Sequence, residues 1–146
     1  MKLKYKHLID ELGLSDICPN ADCKSLDTVA FRWVLDPLSH EHNFLPNIEY
    51  DKARGKDLNL AGYDNNAKCL RCSQSFFISK SNAVNTFLSI TPSIQKKLGY
   101  THIAKGDLKN TDGVMTPVNN NGHFSFFEFE SSDYKVNFSI TDVLNR

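Results

Sequence analysis

Four cysteines are the residues here most able to do chemistry together. They fall in two close pairs, Cys18-Pro-Asn-Ala-Asp-Cys23 and Cys69-Leu-Arg-Cys72. Two short-spaced pairs suit a tetrahedral thiolate site, each pair bending into a turn that presents two sulfurs on one side. Zinc suits four soft thiolates and makes no redox demand. The first expectation is therefore a structural Zn2+ ion held by Cys18, Cys23, Cys69 and Cys72, as a clip formed by residues 17–24 and 68–73. Free buried thiols, a redox pair at Cys69 and Cys72, an iron–sulfur site and disulfides are the alternatives. The N-terminal residues hold no apolar core of signal-peptide length. That implies a cytoplasmic setting, which argues against stable disulfides. With all four positions taken by thiolates, such a metal has no open site for a catalytic water.

A second set of candidates lies outside the cysteines. Arg32 sits in the middle of a β-branched and aromatic run, between Phe31 and Trp33. It either faces solvent or anchors an anion. His102 and His123 are general-base candidates because an imidazole titrates near neutrality, and each is equally readable as a hydrogen-bonded structural histidine. His40-Glu41-His42 offers alternate imidazoles without an evident third ligand. Lys52, Arg54, Lys56, Lys68 and Arg71 supply the cations that a nucleic-acid module would need. No phosphate-binding loop, serine elbow, zinc-protease helix or dinucleotide glycine motif is present.

Two likenesses attach to these residues. Ile17–Cys23 and Lys68–Phe76 resemble the knuckles of zinc ribbons, a family whose members often bind nucleic acid or protein. The order of a strand arginine, a serine-flanked aromatic strand (Ser75-Phe-Phe-Ile-Ser79), a helix and a late glutamate resembles ADP-ribosyltransferases. That resemblance implies NAD as substrate. Arg32 would hold its phosphates, Ser75 or Ser79 would shape the nicotinamide pocket, and Glu128 or Glu130 would orient the ribose. The stretch from Gly99 to Glu128 also looks like small uncharacterised bacterial proteins, which implies a prokaryotic or phage setting.

The elements that must position these residues read as α+β. Tyr5, Leu8, Ile9 and Leu12 recur at helical spacing and predict a helix over 3–12 stopped by Gly13. Thr28–Leu35 predicts a strand ended by Asp36-Pro37. Residues 36–66 look irregular, and such a long connection either covers a site or wraps the surface. Cys69–Ser79 reads as a knuckle and a strand. A helix from Asn82 with Ser81 as cap follows, and then a helix from Pro92 to Leu98 stopped by Gly99. The remainder reads as strands: 100–108, 114–116, 123–130 and 134–143, the last with Val136, Phe138 and Ile140 on one face. Phe124, Phe126, Phe127 and Phe129 crowd one strand, so both faces of the sheet should be covered there. The expected architecture is a mostly antiparallel sheet with a short N-terminal helix, a central helical pair and a zinc clip, in one domain over 1–146.

Composition bounds the function. The chain has 146 residues, 17 basic and 17 acidic side chains and a pI near 6.9. Residues 1–106 lean basic and residues 107–146 acidic. A neutral chain is a poor candidate for non-specific nucleic-acid coating or for a polybasic membrane anchor, and no apolar run approaches membrane-spanning length. The expectation is a small binding domain whose partner is a protein, with nucleic acid less favoured and no membrane. An NAD-using transferase is the alternative, in which Arg32, Ser79, His123 and Glu130 are the catalytic candidates.

Overall fold

The computed structural model describes residues 2–144. Its elements in chain order are α1 (Lys6–Glu11), β1 (Thr28–Val34), α2 (Asn47–Ala53), α3 (Asn65–Arg71), β2 (Gln74–Phe77), α4 (Lys80–Ser89), α5 (Pro92–Leu98), β3 (His102–Leu108), β4 (Gly113–Met115), β5 (His123–Glu128), a 3-10 turn (Tyr134–Asn137) and β6 (Ser139–Val143). The six strands form one sheet in the order β4-β5-β2-β1-β3-β6, every neighbouring pair antiparallel. The α+β expectation holds at that level. No helix among the described residues is long and apolar enough to cross a membrane.

Both sheet faces are covered, by different means. Alternation along β1 puts Ala30, Arg32 and Val34 on one face and Phe31 and Trp33 on the other. The first face carries Phe76, Ala104, Leu108, Phe124 and Phe126, closed by Phe44, Tyr134 and Phe138. Those lids come from a loop, the 3-10 turn and the residue before β6. Gly106 leaves room for the Phe138 ring, which would overlap any Cβ built there. The opposite face meets α4 through Phe77, Ala83 and Ile103, with Phe31 and Trp33 against them. Further along, Phe127 of β5 joins Leu8, Ile9, Leu14 and Ile48 from the N-terminal segment and α2. Adjacent Phe126 and Phe127 thus enter different cores, which explains the crowding of aromatics in one strand.

Several boundaries move, each for a local reason. Ser79 is extended and its Oγ accepts from Asn82 N (3.1 Å), so α4 starts at Lys80 under a Ser79 cap. Thr91-Pro92 and Gly99 (φ 76°) bound α5 as expected. The last strand is shorter than expected: Tyr134–Asn137 turns as 3-10, and Val136 is 71% exposed rather than on the Phe138 face. The segment 36–66 contains a helix, α2, between Pro46 and the left-handed Gly55. At the end of that segment Asn65-Asn66 opens α3 because the Asp64 carboxylate accepts from Ala67 N (2.8 Å).

That helix undoes the zinc clip. Cys69 lies in the last turn of α3 and Cys72 is its C-terminal cap, so the pair is not a knuckle. Cys69 is disulfide-bonded to Cys18, 51 residues away in sequence. Two of the four presumed ligands are therefore consumed by each other. Among the described residues no group of three or more His, Cys, Asp or Glu side chains is placed to hold a metal ion. The remaining cysteines are free. Cys72 Sγ donates to Lys68 O (3.6 Å) and Cys23 Sγ to Asn20 Oδ1 (3.7 Å). Burial pushes the Cys72 thiol up to about 11 and raises Cys23 as well.

Candidate functional site

The site is built where β1 and β2 meet. Their ladder has one register pair, Phe31–Phe77, whereas β1 and β3 pair along the whole of β1. Toward Val34 and Gln74 a cavity of about 100 Å3 opens, walled by Arg32 and Trp33 of β1, Ser75 of β2, Tyr50 and Asp51 of α2, Arg71 of α3 and Tyr100. Three inserted pieces complete it. Asn43 fixes the preceding loop: its Oδ1 accepts from Leu35 N (2.9 Å) and its Nδ2 donates to the carbonyls of Leu35 (2.9 Å), Leu38 (3.1 Å) and Pro37 (3.3 Å). Asn47 docks α2 onto β2, its backbone N on Ser73 O (2.9 Å) and its Nδ2 on Ser75 Oγ (3.2 Å). Gln95 stitches α4 to α5 through Phe87 O (2.7 Å) and Ile90 O (3.1 Å).

Arg32 is the centre of this arrangement. It faces the core, not solvent, and is 4% exposed. Its guanidinium lies 5.1 Å from the centroids of both Phe44 and Phe76, a cation–π pairing on two rings. It donates to Gln74 Oε1 (3.1 Å) and to Trp33 O (3.3 Å). It forms no salt bridge with any described carboxylate. Burying a charge is costly unless an opposite charge compensates it, and none does so in direct contact here.

The opposite wall is also cationic. Asp51, 5% exposed, meets Arg71, Arg54 (2.5 Å) and Lys56 (3.9 Å). Three cations surround one carboxylate. The Nε atoms of Arg54 and Arg71 are buried without a hydrogen-bond partner. Burial lowers the Arg71 pKa, although a guanidinium stays charged across the working pH range. Tyr50 and Tyr100 stack at 4.8 Å and 11°, and burial raises both phenols, so both hydroxyls are protonated at neutral pH. Tyr50 Oη donates to Leu98 O.

A second buried polar group adjoins the first. Gln74 bridges Arg32 to Glu128, its Nε2 donating to Glu128 Oε1 (3.0 Å), while Tyr134 Oη donates to Gln74 Oε1. Glu128 Oε2 pairs with Lys4 (3.4 Å), and burial is the main reason its pKa is raised.

The sequence candidates scatter. Ser75 shares the cavity with Arg32. Ser79 is a helix cap beyond the other end of β2. His123 packs on the Phe77 ring (5.4 Å), and burial lowers its pKa. Glu130 is exposed, with its backbone N on Lys2 O (2.8 Å). Glu128 reaches Arg32 only through Gln74. Of Arg32, Ser79, His123 and Glu130, only Arg32 lines the cavity described above. His102 hydrogen-bonds Thr101 (2.8 Å), and the His40 and His42 rings contact each other at 4.9 Å. Of the basic set, Arg54, Lys56 and Arg71 converge on Asp51, while Lys52 pairs with Glu49 (3.5 Å). The residues that sequence reasoning missed are Asn47, Tyr50, Asp51, Gln74 and Tyr100. The first three ride on α2, whose only signals are Pro46 before it and Gly55 after it.

Comparison with known proteins finds no family, no curated protein and no solved structure that matches this chain. The likenesses to zinc ribbons, ADP-ribosyltransferases and small bacterial proteins are corrected accordingly. The first also falls to the Cys18–Cys69 disulfide.

Proposed function

We propose that this chain acts by binding, and that its ligand presents an oxyanion (phosphate, sulfate or carboxylate) to Arg32. The observation that carries this reading is a guanidinium 4% exposed, without a salt-bridge partner, on the wall of a cavity. An incoming anion supplies the missing charge and meets donors already in place. Arg71, Tyr100 and Asn47 line the same cavity. A volume of about 100 Å3 is below the range of drug-sized sites and suits one anionic group rather than a whole cofactor. The group can be carried by a small molecule or by a partner protein, the partner class that composition favours. An open nucleic-acid groove is less well supported, because Arg54 and Arg71 turn inward onto Asp51.

The test is calorimetry and thermal unfolding with inorganic phosphate, sulfate and acetate, on the wild type and Arg32→Met. At a concentration a hundred times its Kd, a bound anion stabilises the fold by about 2.7 kcal/mol. Arg32→Met should fold, because an apolar side chain replaces an uncompensated buried charge and Gln74 Oε1 keeps Tyr134 as donor. It should also lose the anion response. Wild-type protein that ignores all three anions, or a variant that responds equally, sinks the proposal.

A further inference from the structure

A larger hollow of about 470 Å3 lies beside the cavity, lined by Arg54, Lys56, Ile94, Lys97 and Leu98. The two compartments share Leu98 and are joined through Arg54. Arg54 Nη2 holds Asp51 of the inner wall (2.5 Å), its guanidinium sits 4.7 Å from the Tyr50 ring, and its Nη1 donates to Lys97 O (2.6 Å). We propose that the two compartments form one site and that its ligand ends in at least two adjacent anionic groups, as a diphosphate or polyphosphate chain end does. This rests on the anion reading of the inner cavity.

Charge is the first argument. The residues lining the two compartments include five cations (Arg32, Arg71, Arg54, Lys56 and Lys97) and a single carboxylate, Asp51. Asp51 is already engaged by three of them. Lys97 forms no salt bridge among the described residues, and Lys56 reaches Asp51 only at 3.9 Å. One anion at Arg32 therefore leaves the outer cations uncompensated, and a second, covalently adjacent anion meets them.

Shape is the second. The inner compartment holds one group and no more, so it accepts the end of a chain and excludes an internal phosphodiester flanked by sugars. The outer compartment is several times larger and has an apolar wall, Ile94 and Leu98, against which the organic body of such a ligand can lie. The C-terminal carbonyls of α5 point to this region and would repel an anion. Tyr50 Oη covers the Leu98 carbonyl and Arg54 covers that of Lys97, which removes the repulsion.

The experiment measures affinities of inorganic phosphate, pyrophosphate and tripolyphosphate at fixed ionic strength, for wild type and for the double variant Lys56→Gln/Lys97→Gln. Both lysines are exposed, so the variant keeps the fold. Pyrophosphate is expected to bind at least about tenfold tighter than phosphate in the wild type. The variant should lose most of that gain while its phosphate affinity changes by less than about twofold. Phosphate binding without a pyrophosphate gain, or a gain that survives in the variant, overturns the two-compartment proposal and leaves the inner site standing. Absence of binding by all three anions overturns the inner site and this proposal together.

Discussion

Asp51 and Glu128 are both carboxylates sealed inside the protein, 5% and 3% exposed, yet their surroundings carry opposite charge balances. Asp51 sits among Arg54, Arg71 and Lys56. Glu128 has one partly exposed cation, Lys4, and an uncharged amide from Gln74. Around Asp51 positive charge is in excess, and that excess is what the proposed anion would meet. Around Glu128 it is in deficit, and the carboxyl holds its proton to a higher pH. The lesson is that burial alone does not mark a functional acid. The sign of the uncompensated charge around it separates a ligand site from an anchor.

The largest test of that contrast is Asp51→Asn. It leaves the half-buried Arg54 and Arg71 without their counter-ion and should destabilise the fold by about 2–3 kcal/mol in urea unfolding. Added phosphate should restore more stability to this variant than to the wild type, because the anion takes over the missing charge. Equal rescue of both would break the comparison.

Glu128→Gln is the milder counterpart. The folded pKa of Glu128 lies above its ordinary 4.5. Between the unfolded and folded values the native state binds the extra proton, so wild-type stability falls as pH rises through that window. A glutamine has no such dependence and still accepts from Gln74. The variant should therefore gain on the wild type from pH 4.5 upward, by about 1.4 kcal/mol for each unit of pKa elevation. Parallel stability profiles would show that Glu128 is not in deficit.

Lys4→Met has the smallest expected effect. Its pair with Glu128 is partly exposed, and such pairs contribute less than about 1 kcal/mol. Its value is as a sharpening of the Glu128 result. Removing the cation that pairs with it should move the Glu128 titration further upward, read by carboxyl NMR.

Much of the sheet was legible because its signals are local. Alternation in Thr28–Val34 and the proline and glycine bounding α5 act within a few residues. The site was less legible. Arg32 was visible as an odd charge in a strand, but its burial depends on which face the loop at Phe44 closes. Asp51 and Tyr50 ride on a two-turn helix whose seven residues carry little periodic signal. The cysteine spacing misled because a two-residue gap fits the last turn of a helix as readily as a knuckle. Asp64, five residues before Cys69, decides between them.

Trp33 gives the cavity a built-in reporter. It is the only tryptophan in the chain, it lines the cavity, and its ring touches Phe77, Phe87 and Tyr100. Its indole N–H is held on Ala83 O (2.9 Å), so the chromophore is fixed in orientation. An anion arriving beside it changes the electric field across the indole. The emission spectrum of the unlabelled protein therefore reads occupancy directly, one signal from one place.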